Sequence, residues 1–161
     1  MPLDVVYGET SAFKFLVLAA ATLIRPADFD TTALSLPELT TSDLPTTVST
    51  TTDPAPKMYG SPADGTGLEW AKPRPDQGSW SASLSGNVQP TDPERLAMET
   101  LNAARGKYVW IERRMNADTT NEGGCAIVTS TGKPIPADGV VTFSVGLTGY
   151  GPLYPDTSAI A

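Results

Sequence analysis

Two stretches in which apolar residues alternate strictly with small or polar ones constrain the fold of this chain most. Residues 79–86 alternate apolar residues with serine, and residues 141–148 alternate large apolar residues with threonine, serine or glycine. A period of two residues is typical of half-buried antiparallel strands with one apolar face. The apolar residues of these strands that we predict to lie in the core are Trp80, Leu84, Val141, Phe143, Val145 and Leu147.

Between these strands lies the one convincing helix pattern, predicted over 92–105. Thr91 and Glu94 have capping-box spacing, Pro93 suits the first turn, and Gly106 is typical of the position just after a helix. The residues that share one face of this helix are Leu96, Ala97, Leu101 and Ala104. We therefore predict that the helix packs on the sheet, with Leu96 and Leu101 in the core.

Two further strands are predicted at 108–115 and 125–130, and they add Trp110 and Ile127 to the predicted core. The fold class predicted is mainly β: an antiparallel β-sandwich or barrel flanked by one α-helix, with a long loop and extended terminal arms. A chain of 161 residues is long enough for one domain with its own core. We found no internal repeat and no heptads.

We divide the chain into four parts: an N-terminal arm and first strands at 1–35, a long Thr/Pro-rich loop at 36–78, a β-helix-β core at 79–153, and a C-terminal arm at 154–161. The loop contains seven prolines. Proline removes a ladder donor, so we predict an irregular segment with Thr46–Thr52 as its one β-segment. A loop of this length in a compact domain is either disordered or functional.

Residues 13–24 resemble the apolar centre of a signal peptide. Asp4 and Glu9 precede them and the first base is Lys14, which is the opposite of a positively charged leader. The run is also too short to span a bilayer. We expect a strand pair or a strand with a bend here, with no leader and no membrane insertion.

The composition argues against a reaction centre. The chain has no histidine and a single cysteine, Cys125, so the usual general base and the usual zinc ligands are missing. Cys125 lies in an apolar run and is interpreted as a buried small hydrophobe. We predict no catalytic residues, no metal site and no cofactor.

The net charge of −7 is concentrated in residues 26–71, which hold seven acids against one base, Lys57. An acidic surface repels phosphate and argues against a protein that grips nucleic acid. The acids that we single out as lumen-facing or inter-ring candidates are Asp28, Asp30, Glu38, Asp43, Asp53, Asp64, Glu69 and Asp76. The one basic cluster, interpreted as an inter-subunit patch, is Arg105, Lys107, Arg113 and Arg114.

The order of elements resembles the tail tube proteins of long-tailed, siphophage-type bacteriophages. The resemblance covers residues 79–153. The segments that carry it are the strand Ser79–Gly86, the helix Asp92–Arg105 with its A-A-R-G exit, the strand Tyr108–Arg114, and the ending Val140–Gly151 with its G-x-G close. The Thr/Pro-rich segment at 36–78 departs from the family pattern.

The resemblance implies a β-sandwich or barrel that assembles into stacked, hexameric rings. Such rings form a hollow tube through which genomic DNA leaves the capsid without specific binding. It also implies an inner wall of strands with predominantly negative charge, and the serine face of residues 79–85 is a candidate for a solvated or lumen-facing surface. The expected partners are further copies of the chain, a tape-measure protein and a tail terminator. The expected location is the virion tail, after synthesis in the host cytoplasm.

Two other classes remain open from the sequence. One is another ring-forming tube or terminator protein of the same fold. The other is a capsid-decoration or carbohydrate-binding sandwich, in which Trp70, Trp80 and Trp110 would be exposed for stacking on sugars. The phase of Trp80 and Trp110 with apolar neighbours favours core packing.

Overall fold

The computed structural model describes residues 12–36, 39–53, 72–88, 92–114, 120–133 and 139–160. The strands in these ranges are β1 Ala12–Leu18, β2 Leu34–Ser35, β3 Leu39–Asp43, β4 Thr46–Asp53, β5 Lys72–Asn87, β6 Tyr108–Arg114, β7 Glu122–Gly132 and β8 Thr142–Tyr154. The helices are the one-turn α1 Phe29–Thr32, the longer α2 Asp92–Ala103 and a 3-10 turn at Thr157–Ile160.

All strand pairings are antiparallel, in the order β2-β1-β6-β7-β8-β5-β3, with β4 pairing to β5 off this path. The sheet curls into a half-barrel with α2 packed against it. The prediction of a mainly β, antiparallel fold flanked by one helix is confirmed. The described strands form one curled sheet rather than two separate stacked sheets.

The inner face of the curled sheet forms the main core. Its strand residues are Phe13, Phe15, Trp80, Ala82, Leu84, Val109, Ile111, Ala126, Val128, Phe143, Val145 and Leu147. Of the predicted core residues, seven are buried: Trp80, Leu84, Leu101, Trp110, Phe143, Val145 and Leu147. Two are only half-buried, because Ile127 points to the outer face of β7 and Val141 precedes β8.

The predicted core position of Leu96 is wrong, because its side chain is 56% exposed. The buried face of α2 is Ala97, Met98 and Leu101, and Ala104, just after the helix, is buried as well. Each residue advances the helix by about 100°, so Leu96 lies far from the centre of that face while Met98 lies on it. The helix ends at Ala103, and Gly106 takes a left-handed turn with φ 79° before β6.

Side chains on the outer face of β6 and the start of β7 are also buried, with half-buried leucines of β1 beside them, and we call this part of the sheet the covered half. Val109 and Ile111 point into the main core, whereas Trp110 joins a second cluster with Phe29 and Cys125. Residues 19–33 and 155–160 lie over this cluster, and we call these two segments the lid. The strand β6 therefore has apolar contacts on both faces.

The predicted C-terminal arm does not extend away from the subunit over its described residues. The backbone N–H of Thr157 donates to the carbonyl of Asn121 at 2.9 Å, and that of Arg25 donates to the carbonyl of Ile160 at 3.2 Å. Thr157 is 1% exposed. Residues 155–160 instead complete the lid. The N-terminal arm, residues 1–11, lies outside the described residues.

The predicted irregular loop at 36–78 is wrong for its described residues. The expected β-segment is confirmed as β4, but β3 and the first part of β5 also form ladders, and β5 does so at Pro73 and Pro75. Proline is tolerated there because this part of β5 has a neighbour on one side only, so a ring nitrogen that faces the open side removes no ladder bond.

Candidate functional site: the arm and the bare sheet face

The strands β4 and β5 extend beyond the sheet as a two-stranded ribbon, which we call the arm, made of residues 46–53 and 72–80. From 81 onward β5 lies between β8 and β3, whereas before 81 it pairs with β4 alone. The described side chains of the arm at 46–51 and 74–79 are all exposed. A lone two-stranded ribbon is marginally stable in water, so the arm is suited to a partner outside the subunit.

The arm is held by threonine and serine rather than by apolar contacts. Thr47 and Ser79 share a hydroxyl–hydroxyl bond at 2.9 Å, and the Ser49 hydroxyl donates to the Gln77 carbonyl at 3.0 Å. The register shifts between Val48 and Thr50. Such a shift marks a bulge, which bends and twists a ribbon. Val48 is the exposed large apolar side chain of the arm, with 60% of its surface accessible.

The second candidate surface is the outer face of β3, β5 and β8, which we call the bare face. Its strands form the bare half of the sheet. Directly paired residues place their side chains on the same face of a sheet. The residues of the bare face, with Ile127 and Ser130 of the adjoining β7, are Thr41, Asp43, Ser81, Ser83, Ser85, Asn87, Ile127, Ser130, Thr142, Ser144, Gly146, Thr148 and Tyr150.

The lid is fixed by a buried carboxylate on the covered half. Glu112 is 3% exposed and accepts hydrogen bonds from Arg25 Nε at 2.6 Å, Trp110 Nε1 at 3.1 Å and Asn121 Nδ2 at 3.2 Å. Arg25 also binds Asp30 through two bonds of 2.9 and 2.6 Å. These bonds raise the pKa of Arg25, and they lower the pKa of Asp30 below its ordinary value of 3.8. The cluster stabilises the fold and does not resemble a reaction centre.

The predicted acids do not gather on one surface in the subunit. Asp28 and Asp30 lie on the lid, Asp76 lies on the arm, and Asp43 alone of the described acids lies on the bare face. Asp53 ends β4. The other predicted acids, Glu38, Asp64 and Glu69, lie outside the described residues.

The predicted basic cluster is not one patch. Arg105 and Lys107 lie at the α2–β6 turn, whereas Arg113 and Arg114 end β6, about 20 Å away along a strand of this length. Arg113 is also engaged within the subunit: it pairs with Glu122 and donates to the Ser42 carbonyl at 2.8 Å. The length of β6 separates the two pairs, and Arg113 and Arg114 also point to opposite faces because adjacent positions of a strand alternate. Their role between subunits stays a prediction.

Neither described tryptophan is available for stacking on a sugar. Trp80 is 5% exposed and Trp110 is fully buried. Trp80 lies across Gly149, where a Cβ would overlap its indole ring, and its Nε1 donates to the Gly151 carbonyl at 3.0 Å. Gly149 of the G-x-G ending thus makes room for this ring. Trp70 lies outside the described residues.

Groups suited to catalysis are sparse in the part of the chain that the structure describes. It contains no set of three or more histidine, cysteine or acidic residues that could hold a metal ion. Burial raises the pKa of the Cys125 thiol. A groove of about 490 Å³ at the start of β6 has no carboxylate, thiol or serine among its described lining residues, which are Val17, Leu18, Ala19, Gly106, Lys107 and Tyr108. Among the described helices, none is both long and apolar enough to cross a membrane.

Sequence reasoning missed the length of the arm and the lid. The signal for the arm was present in the sequence. Residues 46–53 are mostly polar residues that favour strands, and a second run, 72–78, leads directly into the strand in which serine alternates. The prolines at 73 and 75 concealed it. The lid has no periodic signal, since it is a loop with a one-turn helix.

No family model and no curated protein matches the sequence. Solved structures do match. A chain of the SPP1 tail tube, from a hybrid solid-state NMR and cryo-EM study, superposes with a TM-score of 0.62 at 17% identity, covering 95% of this chain and 82% of that one.

The tail of an empty GTA particle, solved with C6 symmetry, gives a TM-score of 0.59 at 14% identity, covering 92% of this chain and 96% of that one. A chain of the native gene transfer agent virion gives a TM-score of 0.53 at 14% identity, covering 81% of this chain and 92% of that one. The chain has the phage tail tube fold. At these identities the likeness establishes the tail tube fold and leaves the assembly to be argued from the surfaces.

Proposed function

We propose that this protein is a structural subunit that assembles into rings, six subunits each, which stack into a hollow tail tube for the passage of genomic DNA. The arm carries the proposal. It is a β-ribbon with exposed side chains and open edges, and such edges pair readily with another chain. The tail tube fold and the C6 symmetry of the GTA tail support the ring.

The β4 edge of the arm supports contacts between subunits, whereas the β5 edge is blunted by Pro73 and Pro75. The β4 strand carries no charged residue from Thr46 to Thr52 and contains no proline. Isolated edges are usually blunted by lysine, proline or a covering segment. In a stacked tube, the arm would lie against the next ring and gain contacts that its exposed side chains lack in one subunit.

The acidic balance supports passage of DNA. With a net charge of −7, the subunit surface does not favour phosphate, so transit would not be slowed by many weak contacts. The virion tail is the corresponding location, with a tape-measure protein and a tail terminator as further partners.

Assembly is tested by light scattering coupled to size-exclusion chromatography over a range of protein concentration, followed by negative-stain microscopy. We expect species of six subunits or multiples of six, growing to tubes as the concentration rises. A protein that stays monomeric at every concentration, also in the presence of preformed tube ends as nuclei, contradicts the proposal.

The role of the arm is tested with two valines of nearly equal exposure. Val48 on the arm is 60% exposed, and Val140, before β8, is 62% exposed. Both changes to Asp should alter the free energy of unfolding by less than about 0.5 kcal/mol, as is usual at exposed positions. Val48→Asp should raise the concentration needed for assembly by more than about tenfold, equal to 1.4 kcal/mol, and Val140→Asp should not. Equal effects of the two variants would show that the arm has no special part in assembly.

A further inference from the structure

The side chain of Arg113 joins two strands that are far apart in the order of the sheet. Arg113 belongs to β6, and it reaches β3, with β7, β8 and β5 between the two strands. Its Nη1 donates to the Ser42 carbonyl at 2.8 Å, while its Nε donates to Glu122 Oε1 at 2.7 Å. Its Nη2 donates to the same carboxylate oxygen. Arg113 pairs with Phe13 of the main core, so this bridge crosses the inner side of the curled sheet.

The Ser42 carbonyl lies on the open edge of β3. In an antiparallel ladder, the backbone groups of successive residues point alternately to one side of the strand and to the other. The Ser81 N–H donates to the Pro45 carbonyl at 3.1 Å, so the backbone of Pro45 faces β5. The register against β5 is continuous from Thr41 to Thr46. Because Ser42 and Pro45 are an odd number of positions apart, the Ser42 carbonyl faces away from β5.

The strand β3 leads directly into the arm. Only Leu44 and Pro45 separate the end of β3 from the start of β4. The ladder between β3 and β5 is short, and its register shifts between Leu39 and Thr41. Leu44 also packs against the main core. The strand β3 is therefore the anchor at the root of the arm, and Arg113 holds the edge of this anchor that β5 does not.

The arm has features that let it bend beyond this root. Its register shifts between Val48 and Thr50, and a Cβ at Gly78 would meet open space. The described side chains of the arm at 46–51 and 74–79 are exposed, so they do not brace it against the body. Two-stranded ribbons also twist more readily than wide sheets. The direction of the arm therefore depends on how firmly its root is held.

We infer that Arg113 is a positioning residue for the arm: by tying the edge of β3 to Glu122 on β7, it fixes the direction in which the arm leaves the subunit. This inference rests on the proposed function, in which the arm contacts another subunit. A ribbon that already has the right direction loses less conformational freedom on association, which favours binding. Loss of the bridge should therefore weaken assembly as well as loosen the arm.

The chemistry of the bridge requires an arginine and a fixed carboxylate. A guanidinium presents its N–H donors in a rigid planar fork, so Glu122 can hold one side of it while Nη1 is directed at Ser42. The residue before Glu122 is Asn121, whose side chain donates to the buried Glu112 at 3.2 Å. The start of β7 is thereby tied to the covered half, and the bridge connects the arm to the most firmly packed part of the subunit.

The direction of the arm is tested by electron spin resonance distance measurements on free, full-length subunits below the concentration at which they assemble. Spin labels are attached at Thr50→Cys on the arm and Ala159→Cys on the lid, while the native Cys125 is 1% exposed and stays unlabelled. We expect a narrow distribution of distances in the parent protein. Arg113→Gln should broaden it, whereas Arg114→Gln, on the opposite face of the same strand, should leave it unchanged.

A control separates arm direction from general loosening of the fold. Labels at Glu99→Cys on α2 and Ala159→Cys on the lid both lie on the body, and their distance distribution should be the same with and without Arg113→Gln. Glu122→Gln removes the charge that orients the guanidinium, and it should broaden the distribution between arm and lid. Arg113→Lys should broaden it too, because an ammonium lacks the planar fork.

The outcomes of the distance measurement do not depend on a tube. A distribution between arm and lid that Arg113→Gln leaves unchanged overturns the inference, and so does a broad distribution in the parent protein. If Arg113→Gln does not fold, Glu122→Gln decides between the same two outcomes. Broadening of the pair on the body as well would show that Arg113 only supports the fold, and would overturn the inference.

The consequence for assembly is tested separately by light scattering. Arg113→Gln should raise the concentration needed for assembly by about tenfold, and Lys133→Gln, which removes one positive charge at another exposed position, should not. Equal effects of the two variants would overturn the link between arm direction and assembly. Parent protein that does not assemble would overturn the proposed function and leave the distance result standing.

Discussion

The covered half and the bare half belong to one sheet, yet their outer faces differ completely. On the covered half, Trp110 and Cys125 lie under the lid and Glu112 is fully hydrogen-bonded. On the bare half, most outer-face positions are serine, threonine or glycine, with Asp43 at the β3 edge and the exposed Tyr150 on β8. Outer-face apolar residues therefore stabilise the subunit in one half, whereas the other half keeps a polar surface that folding does not use. This difference locates the part of the sheet that is free for function.

The largest expected effect is on the covered half. Trp110→Ala should lower the free energy of unfolding by about 3–5 kcal/mol, because it leaves a cavity under the lid and removes the indole donor of Glu112. Thr148→Ala on the bare face should change it by less than about 0.5 kcal/mol. Urea unfolding followed by circular dichroism measures both. Similar losses of unfolding free energy in the two variants would contradict the difference between the covered half and the bare half.

A smaller effect is expected at the carboxylate that fixes the lid. Glu112→Gln keeps the shape but removes the charge that Arg25 binds at 2.6 Å, and it should cost about 1.5–3 kcal/mol. The control is Glu99→Gln in the exposed Arg95–Glu99 pair at 3.7 Å, where we expect less than about 0.5 kcal/mol. If Glu112→Gln is as stable as the wild type in urea, the lid is held by its apolar contacts alone.

The smallest effect concerns Asp30, which is exposed on the lid. Its pKa lies below the ordinary value of 3.8 because Arg25 donates two hydrogen bonds to it. Its contribution to stability is therefore complete above about pH 4 and is lost as the pH falls through the lowered pKa. The stability difference between wild type and Asp30→Asn, measured by thermal unfolding, should shrink on acidification over that window. A difference that does not vary with pH would show that the pair does not contribute.

The sequence predicted what depends on short periods. Alternation located Trp80, Leu84, Phe143 and Val145 on the inner face, since the side-chain period of a strand is fixed. It could not show that β6 is buried on both faces, because the lid that covers Trp110 is a non-periodic loop distant in sequence. Leu96 failed because the helix pattern admits two neighbouring faces and tertiary packing selects the one with Met98.

The candidate site was predicted in part. The serine face of β5 was visible in the sequence, but its continuation through Ser144, Gly146 and Ser130 depends on the register between strands. The sequence did not reveal the arm, because proline usually ends a β-ladder. The ladder of β4 and β5 continues past Pro73 and Pro75 because β5 has no second neighbour there. Charged residues that are close in sequence are not all close in the structure. Arg113, for example, points to the inner face and pairs with Glu122.

The measurement that tests the central claim most directly is a cryo-EM reconstruction of the assembled wild-type protein at side-chain resolution. We predict a hollow tube of stacked six-subunit rings in which the arm contacts another subunit. An assembly without stacked rings, or a tube in which the arm touches no other subunit, would contradict this proposal.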